Sequence, residues 1–317
     1  MKNSADYQTQ DISRFISMPL LELVQLADQV RQKFCGPSLD ICSIINAKSG
    51  VCNQDCTFCA QSGHYHTGIS SYPLLSDNQI ADAALKAETI GAKRFGIVTS
   101  GHSIDAHELQ QLCRVIAKIK SETRLEVCGS FGILSKEDLS LLHQAGLSRF
   151  HHNIETSPSF YGKICTTHDF QDRVKTIDYA KQAGLEICSD VILGLGESWN
   201  DRMEMILTLK ELDVNSVPLN ILIPIPGTPL ESSPSLSPFE IIRAIAIFRI
   251  ILEKPVIKIA AGRDTVFKDF QGLGFMAGAN GMIRGGYLTT KGRDGEDDQK
   301  LIRDILSSWQ EPIELSS

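Results

Sequence analysis

The residues most able to do chemistry are three cysteines in one short stretch, Cys52-Asn-Gln-Asp-Cys56-Thr-Phe-Cys59, with Cx3Cx2C spacing. Zinc sites usually pair CxxC knuckles into four ligands, and ferredoxin runs use other spacings with a fourth cysteine. Three thiolates in one loop can hold three irons of a 4Fe–4S cube and leave the fourth iron open. An open iron can be chelated by the amino and carboxylate groups of S-adenosylmethionine (SAM). The plain alternative is a loop of incidental or zinc-binding cysteines.

The chain has 317 residues and nine cysteines, the other six at 35, 42, 113, 128, 165 and 188. Its polar N-terminus, MKNSADYQTQ, lacks the apolar stretch of a secretory signal, and no apolar run approaches the ~18 residues of a membrane span. The expected location is the cytosol, where thiols stay reduced and disulfides explain an odd cysteine count poorly. The formal net charge is -7 and no basic patch stands out, which argues against nucleic-acid and anionic-membrane partners.

The elements that must position these cysteines follow from periodicity. Residues 1–35 read as a helical extension. Residues 36–317 then read as a barrel with a C-terminal tail. Eight strands are expected at 40–46, 94–99, 124–129, 149–153, 186–193, 216–222, 256–260 and 281–283, most of them followed by helical patterns. Ser76, Ser135 with Asp138, and Ser237-Pro238-Phe239-Glu240 supply helix-start signals, the last with a capping-box glutamate. Strands alternating with helices over this length fit an α/β fold, a single closed (β/α)8 TIM-type barrel. An open doubly wound sheet is the alternative, but no GxGxxG follows the first strand. The three-cysteine loop then falls after strand one, at the catalytic end of such a barrel.

The loop resembles the signature of the radical SAM superfamily, and Val191-Ile192-Leu193-Gly194-Leu195-Gly196-Glu197 resembles its later strand motif. From about residue 15 to 305 the chain is similar to the biotin synthase family. Among the segments that carry the likeness are Asn46-Ala47-Lys48-Ser49-Gly50, His152-Asn153-Ile154-Glu155-Thr156, Val217-Pro218-Leu219-Asn220, Ala277-Gly278-Ala279-Asn280 and Leu288-Thr289-Thr290. The resemblance implies insertion of sulfur between two unactivated carbons of dethiobiotin. A 5′-deoxyadenosyl radical made from SAM would abstract the hydrogens, and an auxiliary iron–sulfur cluster would supply the sulfur. It also implies an electron donor of flavodoxin or ferredoxin type and allows a homodimer. A related radical SAM enzyme that inserts no sulfur, of hydrogenase-maturation or mutase type, is the alternative function. A cysteine-rich metal-binding regulator is a different class again.

Residue by residue, the resemblance implies that Cys52, Cys56 and Cys59 ligate the SAM cluster and that Phe58 and Ile192 lie near the adenine. Glu155 stands where the family usually has an aspartate near the SAM ribose. Asn153 and Asn220 match asparagines near the substrate ureido group, and Thr289 and Thr290 match residues at its carboxylate. For the auxiliary cluster, Cys128 and Cys188 match two of the three cysteine ligands of the best-known branch. Gly96 and Lys258 stand at the third cysteine and at the arginine. Cys42 on strand one and Cys165 after strand four are extra. The expectation is therefore an all-cysteine site of Cys42, Cys128, Cys165 and Cys188, with a four-iron cluster favoured over 2Fe–2S. Cys35 and Cys113 read as structural thiols. His64 and His66 read as exposed loop residues, and His151 or His152 could line the site.

Overall fold

The computed structural model describes residues 9–289, 292 and 295–310. Its strands are β1 (Asp40–Lys48), β2 (Arg94–Thr99), β3 (Glu126–Ser130), β4 (Leu147–His151), β5 (Glu186–Cys188), β6 (Val191–Leu193), β7 (Ser216–Ile221), β8 (Val256–Ile259) and β9 (Gly281–Ile283). Every pairing is parallel, in the order β5-β4-β3-β2-β1-β9-β8-β7-β6, and a β5–β7 pairing at Cys188 and Ser216 closes the sheet. β5 and β6 are one stave interrupted at Ser189-Asp190, so the result is the expected eight-stave barrel.

That interruption has a backbone reason. Ile154 N–H bonds Ser189 Oγ at 3.1 Å, Glu155 N–H bonds the Asp190 carbonyl at 3.1 Å, and Ile192 N–H bonds the Glu155 carbonyl at 2.8 Å. Polar groups released by the broken ladder thus find partners in the segment after β4. In exchange Glu155 takes a left-handed φ of 64°. A side chain in that conformation carries a cost that clusters at functional sites.

The outer helices are α3 (Asp77–Thr89), α4 (Ala106–Glu122), α5 (Lys136–Gln144), α6 (Pro158–Tyr161), α7 (Phe170–Gln182), α8 (Trp199–Glu211) and α9 (Pro238–Leu252). Capping boxes start α3 at Ser76/Gln79, α4 at Asp105/Glu108, α5 at Ser135/Asp138 and α8 at Ser198/Asp201. At α9 the expected box does not form. Ser237 caps the helix through Phe239 N–H, while the Glu240 carboxylate turns to Arg202 Nη1 at 2.7 Å. A charge-assisted bond to a buried guanidinium outcompetes a cap.

At the N-terminus, α1 (Thr9–Ser17) and α2 (Leu20–Cys35) precede β1. α2 packs along α9, whose side chains are buried almost all round because it lies between α2 and the barrel. Two short helical turns at 263–270 and α10 (Gln271–Met276) lead to β9, and α11 (Gly295–Gln310) ends the described chain. Arg263 holds α11 to the barrel through both carboxylate oxygens of Asp298, at 2.9 and 2.6 Å, with neither side chain more than 1% exposed. Among the described residues no helix is long and apolar enough to cross a membrane.

Candidate active site

The loop after β1 is shaped by its own backbone. Cys52 N–H bonds the Gln61 carbonyl at 3.0 Å, and Gly63 N–H bonds the Cys52 carbonyl at 2.7 Å. Ser62 Oγ donates to the Gln54 carbonyl at 2.6 Å. Cys52, Cys56 and Cys59 line one cavity of about 170 Å3, and all three are half-buried free thiols. Burial pushes the Cys59 thiol up to about 11, so a bound metal centre is what would hold it as thiolate near neutrality. Three soft donors around one cavity fit the 4Fe–4S site that the spacing implies. The His152 ring also faces this cavity. It is buried and kept neutral by that burial, and its Nε2 has no hydrogen-bond partner among the described residues.

Asp55, inside the loop, decides where Cys165 goes. Its carboxylate accepts from Thr166 N–H at 2.9 Å, from Thr167 N–H at 3.2 Å and Oγ1 at 3.0 Å, and from Cys165 Sγ at 3.3 Å. Thr57 N–H bonds the Ile164 carbonyl at 2.9 Å. These bonds clamp segment 164–167 onto the cysteine loop. Cys165 Sγ lies 3.2 Å from His168 Nδ1 and faces the side of Cys56. The four-cysteine auxiliary set is therefore corrected: Cys165 sits at the barrel mouth, apart from Cys42, Cys128 and Cys188, which share a cavity at the other end.

A central chamber of about 300 Å3 shares Phe58, Cys59, Asn153 and Glu155 with the thiol cavity. Ile192, Asn220 and Thr289 also line it, while Thr290 lies outside the described residues. Asn153 Nδ2 donates to Glu155 Oε1 at 3.2 Å, and Asp190 N–H donates to Asn153 Oδ1 at 3.4 Å. Asn220 Nδ2 donates to Asp190 Oδ2 at 2.9 Å, and Ala261 N–H donates to Asn220 Oδ1 at 3.1 Å. Each amide is held at both ends yet keeps one N–H and one lone pair for a ligand. Burial keeps the Glu155 carboxyl raised, and Arg173, 3.8 Å away, offsets only part of that.

Below the chamber lies a third, smaller cavity, about 30 Å3, whose lining includes Cys42, Cys128, Cys188, Arg149 and Lys258. Burial pushes Cys128 up to about 11 and Cys188 to about 12, and it raises Cys42 as well. A Cβ at Gly96 would stand 3.1 Å from Ile44 Cγ2, so Ile44 fills the place of a ligand there. The Lys258 stem crosses Gly281, where a Cβ would stand 2.7 Å from its Cγ. Its ammonium then meets Asp40 Oδ1 at 2.7 Å and Cys42 Sγ at 2.6 Å. Burial alone would raise Asp40, but Lys258 and Arg94 hold it down to about 2. Three thiols around one enclosed cavity, with two cations beside them, fit an anionic iron–sulfur group.

Three residues of these cavities had no assigned part in the sequence reading, or an undecided one. His151 lines both the central chamber and the deep cavity and bonds the Asp190 carboxylate, with Cys188 close by. Asp190 sits in the break between β5 and β6. Arg149 pairs in register with Cys128 on one side and Glu186 on the other. The available signal was an arginine in a predicted central strand, where a charge needs a partner.

The family comparisons agree with this geometry. A radical SAM superfamily model matches residues 47–209, and a Biotin and Thiamin Synthesis associated domain matches residues 218–305. A biotin synthase from Thermotoga petrophila is 51% identical over 301 residues, covering 94% of this chain and 99% of the relative. One from Thermotoga neapolitana is 56% identical over 274 residues, covering 86% and 98%. Among solved structures, methylornithine synthase superposes with a TM-score of 0.82 at 20% identity, covering 98% of this chain and 95% of that one. At that identity the structural likeness speaks for the barrel alone. By its matched superfamily model and its close full-length relatives, the chain belongs to the radical SAM superfamily and, within it, to the biotin synthase family.

Proposed function

We propose that this protein converts dethiobiotin to biotin by radical SAM sulfur insertion. One observation carries the reading: the three cavities follow one another along the barrel. Phe58, Cys59, Asn153 and Glu155 are shared between the first two, and Ile44, His151 and Ile283 between the last two. A substrate in the middle chamber would face a SAM site at one end and a sulfur source at the other.

Cys52, Cys56 and Cys59 would hold the SAM-binding 4Fe–4S cluster, and Cys42, Cys128 and Cys188 the auxiliary one. With Cys165 at the mouth, a four-iron auxiliary cluster would have three cysteines and a non-protein fourth ligand. When bound, these groups supply one-electron cleavage of SAM to a 5′-deoxyadenosyl radical and the sulfur atom itself. The chain's own work is orientation. Asn153 and Asn220 offer the donor and acceptor that a ureido ring needs, fixed by Glu155, Asp190 and the Ala261 amide. Thr289, with Thr290, would meet the carboxylate end. Phe58, Ile192 and Glu155 would flank the adenosine. The apolar walls around Ile44, Ile221 and Ile283 exclude water from a radical that would otherwise be quenched. The electron donor is proposed to be a flavodoxin or ferredoxin, and the assembly a homodimer. The test is anaerobic turnover with dethiobiotin, SAM and a reductant, read by mass spectrometry. Biotin formation supports the reading; 5′-deoxyadenosine without biotin overturns it.

A further inference from the structure

The deep cavity contains a cation with an unmade bond. The Arg149 side chain is only 4% exposed and lines this cavity. Its Nε and Nη2 both donate to Glu186 Oε2, at 2.9 and 2.6 Å. Its Nη1 has no hydrogen-bond partner among the described residues. A charged donor buried without an acceptor is costly, and such groups persist where something else accepts from them. Lys258 is different, since its ammonium already meets Asp40 and Cys42.

The strand register tells what lies near that free donor. Arg149 pairs with Cys128 on β3, and two residues along β4 His151 pairs with Cys188 on β5. The strand that carries the guanidinium therefore runs between the strands that carry two of the three thiols. Glu186 anchors the far edge of the guanidinium, so its plane is fixed and the Nη1 edge is left over. A rigid donor of this kind suits a sulfur acceptor, and hydrogen bonds to cluster sulfurs tune reduction potential.

We propose that Arg149 is a positioning residue of the auxiliary cluster, donating its free Nη1–H to a cluster sulfur. The inference rests on reading the deep cavity as the auxiliary-cluster site. Arg149 thereby provides an arginine at this cavity from β4, while Lys258 on β8 is tied to Asp40 and Cys42.

The test uses the full chain, reconstituted anaerobically with iron and sulfide and studied without substrate. Iron and sulfide content, Mössbauer spectra and the midpoint potential of the auxiliary cluster are measured for the wild type, Arg149→Met, Arg149→Lys and Glu186→Gln. The wild type is expected to hold about eight irons, two cubes of four. Arg149→Met is expected either to lose the auxiliary iron selectively or to keep it at a more negative potential, with the SAM cluster unchanged. Arg149→Lys should recover part of that loss or shift. Glu186→Gln keeps the guanidinium and should retain the auxiliary spectrum. Arg149→Met with wild-type iron content and potential overturns the inference, as does an equal effect in Glu186→Gln, which would reduce Arg149 to an ion-pair partner. If Arg149→Met does not fold, Arg149→Lys decides: unchanged occupancy and potential in that variant count against the inference. A wild type that holds only the SAM-cluster irons removes the auxiliary reading itself, a separate and distinguishable failure.

Discussion

The two thiol sites sit at opposite ends of one barrel and are built in opposite ways. At the mouth, Cys52, Cys56 and Cys59 come from one loop whose backbone bonds to itself. At the base, Cys42, Cys128 and Cys188 come from three strands, and only closure of the sheet brings them together. A loop site is local, so its spacing is its signature. A strand site is global, since its members depend on which staves are neighbours and which side chains point inward. The base is also closed off by Lys258, Asp40, Arg94, Glu186 and Arg149, linked as ion pairs.

The sharpest way to break this comparison is to remove one thiol from each end. Cys56→Ala is expected to abolish 5′-deoxyadenosine formation altogether. Cys188→Ala should leave SAM cleavage in place and stop biotin formation, with iron falling toward the SAM-cluster content. Normal SAM cleavage in Cys56→Ala would sink the assignment of the mouth. Unaltered iron in Cys188→Ala would sink that of the base.

The contrast also explains what the sequence made legible. The barrel, its eight staves and the helix starts at Ser76, Ser135 and Ser237 follow from periodicity and capping chemistry, which are local. The Cys52–Cys59 loop is legible for the same reason. Cys165 misled because a loop after strand four can reach either the mouth or the chamber, and the deciding contact is the Asp55 carboxylate, more than a hundred residues earlier in the chain. Arg149 and Asp190 were silent because their roles lie in partners, Glu186 and Asn220, that only the closed sheet supplies. Glu240 looked like a cap until Arg202 offered a stronger bond.

The sealed base carries a stability cost that the mouth does not. Asp40→Ala would strip Lys258, 1% exposed, of its carboxylate and leave a buried charge, at a cost of about 3–5 kcal/mol in unfolding free energy. Denaturant unfolding measures this directly, and a loss below about 1 kcal/mol would mean the belt is wet and loosely coupled. The pH dependence has a definite sign. Asp40 is held at about 2 in the folded chain against 3.8 as a free side chain. The folded state therefore binds its proton less readily, so this contribution is full above pH 3.8 and fades as pH falls toward 2. Asp40→Asn should flatten the acid limb of the unfolding curve in that window.

Between the two ends, Asn220 tests the chamber. Asn220→Leu removes the amide that Asp190 and Ala261 hold in place, leaving a ureido group unpaired for about 1–3 kcal/mol of binding. Calorimetry should show weaker dethiobiotin binding with SAM binding intact. Equal binding of both ligands would make Asn220 a purely structural bridge between β7 and the β5–β6 break.

The smallest effect belongs to Cys165, and it is the most telling for the comparison. Cys165→Ala deletes a thiol that donates to Asp55 at 3.3 Å, but four other bonds from Thr166 and Thr167 still hold that carboxylate. The clamp on the cysteine loop should survive, with a stability change within about 1 kcal/mol, since one weak sulfur donor is lost among several stronger ones. Auxiliary iron should stay at the wild-type level, because Cys165 does not line the cavity of Cys42, Cys128 and Cys188 and is held against Asp55 and His168 instead. Cys42→Ala, by contrast, should lose that iron and free the Lys258 ammonium from its sulfur contact. Iron analysis and Mössbauer spectra of the two variants side by side settle which end Cys165 serves. Loss of the auxiliary signal in Cys165→Ala would move this residue back to the base and dissolve the distinction between a local and a global thiol site.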